Sequence, residues 1–210
     1  MKTETVFKKY IEFELLEGRA PHSVFEFCKK NRFSEENFYE HFNNLDQVKS
    51  LFLKSLIDET IEVLDKDENY DDYSGREKML ALFYTLFEIF KSNRSYLIHK
   101  YSNFSDVKEN YKDWKKFFLQ FEARVTQIIQ DAKSNEEVIE RPLVGKYYAK
   151  SFQLTFTYVF RTWVNDTSKG FETTDVAIEK SVNLAFELLG QGALDQIIDF
   201  GRFAIKNKVI

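Results

Sequence analysis

The residues of this chain best suited to recognition chemistry lie between His22 and Phe42, in the segment HSVFEFCKKNRFSEENFYEHF. Its pattern predicts two short helices joined by a tight turn, an arrangement that can place the second helix in the major groove of DNA. The basic side chains near the turn, which could hold phosphates, are Lys29, Lys30 and Arg32. Between Phe33 and Asn43, however, there are three glutamates and no lysine or arginine. This sign of charge opposes a phosphate backbone.

Residue patterns typical of catalysis or metal binding do not occur in the sequence. His99 has no second ligand at metal-binding spacing, and the chain offers no Cys/His cluster, glycine-rich phosphate loop or nucleophile elbow. We therefore predict a protein that is not an enzyme and that holds neither a metal ion nor a cofactor.

The composition predicts an all-α protein. Two prolines and seven glycines in 210 residues leave long uninterrupted segments, and the 22 Phe, 11 Tyr and 2 Trp residues recur mostly at helical spacing. The net charge of −4 gives no general attraction to nucleic acid. The side chain of the single cysteine, Cys28, is expected to be buried in the protein core. One cysteine cannot form an internal disulfide, which suits a protein of a reducing compartment. Without an apolar N-terminal signal segment or a run of 18 apolar residues, we expect a cytoplasmic protein.

Periodicity and capping residues place the helices. Ser23 and Ser34 are expected to cap the two short helices of the recognition segment, and Asn31 is expected to supply a left-handed backbone at the turn. The other predicted helices cover about 5–17, 44–64, 76–92, 94–101, 106–133, 142–165, 173–189 and 193–206. The acidic segment 65–75 is interpreted as a solvated linker.

Aromatic side chains dominate the apolar faces of the C-terminal helices. Such residues most often form a core, although facing helices of a bundle can also enclose an apolar or aromatic ligand. The residues that we single out for such a pocket are Phe83, Phe87, Phe117, Phe121, Tyr148, Phe152 and Phe156.

The N-terminal motifs resemble those of the TetR family of bacterial repressors over about residues 5–55. Glu26-Phe27-Cys28 stands where that family has Glu-Ile-Ala, and Phe33-Ser34 stands where it has Val-Ser. Phe38-Tyr39 with His41-Phe42 matches its Leu/Phe-Tyr-x-His-Phe signature. The spacing of these motifs is kept without a gap.

The resemblance implies a TetR-like fold: a helix-turn-helix head over 1–48, a connecting helix over 49–64, and a helical ligand-binding and dimerisation domain over 76–210. It further implies a homodimer formed through the helices at about 142–165 and 173–189, with a packed monomer as the alternative. The resemblance, together with the positions of the basic and polar side chains, leads us to predict DNA contact for Ser23, Lys29, Lys30, Arg32, Ser34, Glu35, Asn37, Tyr39, His41 and Lys49.

Departures from the family pattern leave two functions open. Asn31-Arg32 replaces Ala-Gly at the turn, and Leu45 replaces a phosphate-binding lysine. Residues 1–64 hold nine Lys and Arg against twelve Asp and Glu, a net charge of 9 − 12 = −3. The first hypothesis is a ligand-responsive regulator, expected to be a repressor, that binds operator DNA as a dimer. The alternative is a protein of the same fold that binds a small molecule or lipid and has lost DNA binding.

Overall fold

A computed structural model describes residues 2–102, 107–141 and 144–206. In these residues the backbone forms ten α-helices, three short 3-10 turns and no β-strand. The helices are α1 (Thr3–Glu17), α2 (Val24–Asn31), α3 (Glu35–Tyr39), α4 (Leu45–Asp65), α5 (Gly75–Ser92), α6 (Arg94–Tyr101), α7 (Val107–Ser134), α8 (Tyr148–Asn165), α9 (Glu172–Leu189) and α10 (Ala193–Lys206). The all-α prediction is confirmed.

The start of α8 differs from the prediction. The sequence suggested a helix from residue 142, but 142–143 lie outside the described residues, and Gly145–Tyr147 forms a 3-10 turn before α8 begins at Tyr148. The amide of Tyr147 donates to the carbonyl of Val144, three residues back, at 2.9 Å. Glycine is a poor helix former, and it favours such a turn over a continuous α-helix at this point.

Local capping sets the bounds of α2 and α3. The hydroxyl oxygen of Ser23 accepts a hydrogen bond from the amide of Glu26, and that of Ser34 accepts one from the amide of Asn37, each at 3.1 Å. Each bond satisfies an amide that the first turn of a helix leaves unpaired. Both serines therefore act as the N-caps that the sequence predicts.

The left-handed residue of the turn is Arg32, with φ 59° and ψ 35°, and the prediction of Asn31 was wrong. Asn31 stays in α2, where its side-chain amide donates to the carbonyl of Phe27 at 2.9 Å. The amide of Phe33 then donates to the carbonyl of Cys28 at 2.9 Å. This closure of the helix end requires the residue before Phe33 to be left-handed.

Aromatic rings hold the first four helices together. Tyr10 of α1 and Phe38 of α3 both lie against Phe27 of α2, with ring centroids 5.9 and 6.0 Å apart. Phe7 of α1 contacts Phe42 at 6.0 Å and Phe52 of α4 at 5.8 Å. Edge-to-face packing of this kind adds to the burial of apolar area.

Backbone contacts divide the described chain into two compact units. The first unit contains the residues up to Thr60 and those of Leu86–Gln120, and the second contains Ile61–Thr85 and the residues from Phe121 onward. The domain boundaries expected from the sequence follow the order of the helices instead, and they remain a prediction.

In the second unit, Arg141 joins the ends of three helices. Its buried guanidinium donates to both carboxylate oxygens of Asp195, near the start of α10, at 2.7 and 2.8 Å. It also donates to the carbonyls of Leu189 and Gly190, at the end of α9, and to the hydroxyl of Tyr148 at the start of α8. A buried charge with this many partners is compensated locally.

Candidate functional site

The surface of α2, the turn and α3 carries most of the residues assigned to DNA contact. Glu35, Asn37, Tyr39 and His41 are exposed, and Tyr39 is 51% exposed although its ring lies 5.6 Å from that of Phe38. Phe38 and Phe42 are buried in the core, and they anchor the segment that carries these exposed side chains. The hydroxyl of Tyr39 and the side-chain amide of Asn37 are thus available for hydrogen bonds with a ligand or nucleic acid.

The basic side chains near the turn differ in the ion pairs and ring contacts that they form with the rest of the protein. Lys30 forms an ion pair with Glu17 of α1, and its ammonium lies 4.9 Å from the ring centroid of Phe13. Lys29 lies over the exposed ring of Phe25, and Arg32 is exposed at the turn. Among the described residues, neither Lys29 nor Arg32 has an ion-pair partner.

A further ion pair fixes the start of α2. Arg19 donates to both carboxylate oxygens of Glu26, at 2.6 and 3.2 Å, and the backbone amide of His22 donates to the same carboxylate at 2.6 Å. The bond from Arg19, followed by that from His22, lowers the pKa of Glu26 to about 2. Glu26 therefore stays ionised near neutral pH. The guanidinium of Arg19 is engaged by this carboxylate and is not available to bind a phosphate.

Lys49, which the sequence also assigned to DNA contact, is turned away from solvent. Its side chain is only 15% exposed, and its ammonium lies 2.8 Å from a carboxylate oxygen of Asp46. Burial opposes the charge of Lys49, but Asp46 and Asp113 outweigh it and raise the pKa of Lys49 above its usual value. A lysine held in this way is poorly placed to neutralise a phosphate.

Sequence reasoning missed a group of polar residues on the buried side of α1. Glu14 is 1% exposed, and its carboxylate accepts from the hydroxyl of Tyr10 at 2.8 Å and from the ammonium of Lys100 at 3.4 Å. One signal was present in the sequence, because Glu14 follows Tyr10 by four residues and so shares the apolar face of α1. The partner on α6, Lys100, could not be found by spacing.

An apolar groove of about 710 Å³ lies along α8 and α9 in the second unit. Leu154 of α8 is 75% exposed and Leu184 of α9 is 60% exposed. Other residues that line the groove are Tyr147, Tyr158, Ala185 and Leu188. A continuous apolar surface of this kind on two neighbouring helices is typical of a protein–protein interface.

The side chains proposed to line a ligand pocket are all buried. Phe87 and Phe117 belong to the first unit, where both lie near Phe90. The other five belong to the second unit: Phe83, Phe121, Tyr148, Phe152 and Phe156. Phe121 contacts both Phe83 and Phe156, with ring centroids 5.9 and 5.7 Å apart. The rings fill the space between the helices, so a ligand would have to displace them.

The part of the chain that the structure describes contains no group of three or more His, Cys, Asp or Glu side chains able to hold a metal ion. No helix within it is long and apolar enough to cross a membrane.

Comparison with known proteins identifies the family. The family model described as Tetracyclin repressor-like, C-terminal domain, matches residues 78–204, which is more than half of the chain. No curated protein and no solved structure matches significantly. The match covers α6–α9 and parts of α5 and α10, whereas the motifs of the helix-turn-helix lie in α2 and α3. Two separate parts of the sequence thus lead to the same family, and the chain is a regulator of the TetR family.

Proposed function

We propose that the protein is a ligand-responsive repressor that binds operator DNA as a homodimer. The observation that carries the proposal is the helix-turn-helix of α2 and α3, in which both helices are capped by serine and Asn37 and Tyr39 are exposed. In such units the second helix enters the major groove, and a two-fold dimer reads half-sites about one helical turn apart.

The groove of α8 and α9 supports the dimer. Leu154 and Leu184 expose large apolar side chains on this face, and a second copy of the same face would remove them from water. Burial of each such side chain contributes about 1.5–3 kcal/mol to association before entropic costs are counted. The proposed interface therefore lies between α8 and α9 of one protomer and the same two helices of its partner.

The ligand proposed for this regulator is an apolar or aromatic small molecule that enters the aromatic core of the second unit. Phe121, between Phe83 and Phe156, is the most central of the candidate residues. Protein cores are packed as densely as organic crystals, so accommodating a ligand there requires the helices to shift. A shift of this kind favours one spacing of the heads over another and releases the DNA.

Charge at the helix-turn-helix surface sets the expected strength of DNA binding. Among the described residues of α2, the turn and α3, Lys29 and Arg32 are the exposed cations without an ion-pair partner, and they lie close in sequence to Glu35, Glu36 and Glu40. Phosphate contacts contribute most of the affinity for DNA, so few cations mean weak nonspecific binding. We expect binding to random duplex DNA at tens of millimolar salt and its loss at physiological salt.

The same charges favour the alternative function, a small-molecule or lipid-binding protein of this family that no longer binds DNA. Three exposed glutamates in and beside α3 would repel the phosphates on both sides of the groove. In that case the head has only a structural role, and the apolar ligand is the sole partner besides the second protomer.

Salt-dependent binding to random duplex DNA distinguishes the two functions. For a repressor, the logarithm of the affinity falls linearly with the logarithm of salt concentration, by about 0.9 for each neutralised phosphate. Arg32→Ala is expected to reduce this slope by about one, whereas the control Lys66→Ala, at an exposed site of the second unit, leaves it unchanged. Absence of measurable binding at about 20 mM salt would refute the repressor and support the alternative.

A further inference from the structure

The first compact unit contains a polar cleft of about 760 Å³ between α1, the start of α4, α6 and α7. Five Lys and Arg side chains and three Asp and Glu side chains line it. The lining therefore carries a net charge of 5 − 3 = +2, unlike the chain as a whole, whose net charge is −4. The cleft consequently attracts anions.

Glu14, which lines this cleft, carries an unsatisfied acceptor. One oxygen of its buried carboxylate accepts from Tyr10 and Lys100, but the other oxygen, Oε2, has no hydrogen-bond partner among the described residues. A buried acceptor without a partner costs about 1–3 kcal/mol. A ligand that donates an N–H or O–H to Oε2 would remove this cost, and Lys100 offsets the negative charge of the carboxylate.

Lys112 and Lys116 supply the positive charge. They lie one turn apart on α7, both line the cleft, and neither has an ion-pair partner in the described part of the chain. The other cations of the lining are engaged: Lys49 with Asp46 and Asp113, Lys100 with Glu14, and Arg19 with Glu26. Two free ammonium groups at this spacing suit an oxyanion that offers several acceptor oxygens.

We propose that the cleft binds a phosphate group that still carries a proton, as a phosphate monoester or as inorganic phosphate. Lys112 and Lys116 bind the anionic oxygens, and the P–OH donates to Oε2 of Glu14. Inorganic phosphate keeps at least one proton near neutral pH, whereas a phosphate monoester, whose second pKa is about 6, keeps its proton only in mildly acidic solution. The volume of the cleft exceeds that of a phosphate ion and leaves room for an organic substituent.

The same geometry selects against anions without a proton. Sulfate and the phosphodiesters of DNA are fully deprotonated at neutral pH, so they would bring a second acceptor against Oε2 of Glu14. This unfavourable contact adds to the cost of the unsatisfied oxygen. The site is thus distinct from the DNA-binding surface, and it stands apart from the proposed function because ion binding can be measured without DNA.

The test is isothermal titration calorimetry of the whole protein in chloride buffer, with glycerol 3-phosphate, inorganic phosphate and sulfate at equal ionic strength, at pH 7 and at about pH 5, below the second pKa of the ester. We expect saturable binding of inorganic phosphate at pH 7, about tenfold or more tighter than that of sulfate, which corresponds to about 1.4 kcal/mol. At about pH 5, where the ester carries its proton, tighter binding of the ester identifies an organic phosphate as the ligand, and equal binding of both compounds identifies the phosphate group itself.

Substitutions test the lysine pair and Glu14 separately. Lys112→Gln combined with Lys116→Gln is expected to weaken phosphate binding about tenfold or more, whereas the control Lys115→Gln, an exposed neighbour on α7 outside the lining, leaves it unchanged. Glu14→Gln should bring sulfate and phosphate to similar affinities, because a side-chain amide can donate to either anion.

Three results would overturn the proposal: no binding of either phosphate compound, equal binding of sulfate and phosphate by the unaltered protein, or full affinity in the double lysine variant. The lysines are at least partly exposed, so their replacement is expected to preserve the fold even if that of the buried Glu14 does not.

Discussion

The ammonium nitrogen of Lys49 lies 2.8 Å from a carboxylate oxygen of Asp46, one turn earlier on α4. The same nitrogen is 3.7 Å from Asp113 of α7. Burial raises the pKa of Asp113 above its ordinary value, and Lys49 only partly opposes this effect. Lys49 thus compensates a buried carboxylate that also accepts a hydrogen bond from the hydroxyl of Tyr101 at 3.1 Å.

Replacing Lys49 should therefore affect stability more than DNA binding. We expect Lys49→Gln to lower the free energy of unfolding by about 1–3 kcal/mol, because the buried carboxylate of Asp113 loses a compensating cation. The salt dependence of DNA binding should not change. Urea denaturation at fixed protomer concentration measures the first effect, and the matched control is Lys54→Gln, whose partly exposed pair with Asp58 contributes about 0.5 kcal/mol. If Lys49→Gln instead reduced by about one the slope of log affinity for DNA against log salt concentration, Lys49 would have to contact a phosphate.

Arg32 occupies a left-handed backbone conformation that favours glycine. Arg32→Gly is expected to raise the free energy of unfolding by about 0.5–1 kcal/mol, while reducing the salt slope of DNA binding by about one. Arg32→Ala provides the control, because it removes the same charge but keeps the β-carbon and so should not stabilise the protein. Thermal denaturation of the two variants side by side gives the difference. Equal stabilities would mean that the turn carries no conformational strain.

Leu184 and Leu154 are expected to lie at the centre of the homodimer interface. Leu184→Glu should shift the protein to monomers at micromolar concentration, because the carboxylate would be buried against an apolar surface. Leu16→Glu is the matched control, since Leu16 is 77% exposed on α1 and does not line the apolar groove. Analytical ultracentrifugation over a range of protomer concentrations measures the result. A dimer that survives both Leu184→Glu and Leu154→Glu would exclude this face as the interface.

The ionisation of Asp166 is expected to make the free energy of unfolding depend on pH in acid. Burial opposes its ionisation, but hydrogen bonds from Ser168 and Thr174 outweigh that effect and lower its pKa from 3.8 to about 2. Because the pKa is lower in the folded state, Asp166 stabilises the protein above about pH 4, and this contribution is lost as the pH falls toward 2. Asp166→Asn should flatten the dependence of unfolding free energy on pH in that window. The control Asp71→Asn, at an exposed loop position, should retain the full dependence.

Much of the fold could be predicted because helix formation depends on neighbours in the sequence. The predicted bounds of α6 and α10 coincide with those observed, and Ser23 and Ser34 cap the helices that their spacing suggests. The departures occur where a backbone detail competes with periodicity, as at Arg32 and in the turn before Tyr148.

The candidate sites depend on partners that are far apart in the sequence. The motif around Phe38 and Phe42 was sufficient to indicate the helix-turn-helix, since its core residues lie within one short segment. Nothing in the spacing, however, indicates that Lys49 faces Asp113 or that Glu14 of α1 meets Lys100 of α6. Ion pairs between helices form only after the chain has packed, because tertiary contacts bring those side chains within a few ångströms. The sequence alone therefore determined the helices and the family, and the tertiary structure decided which charges remain free to bind a ligand.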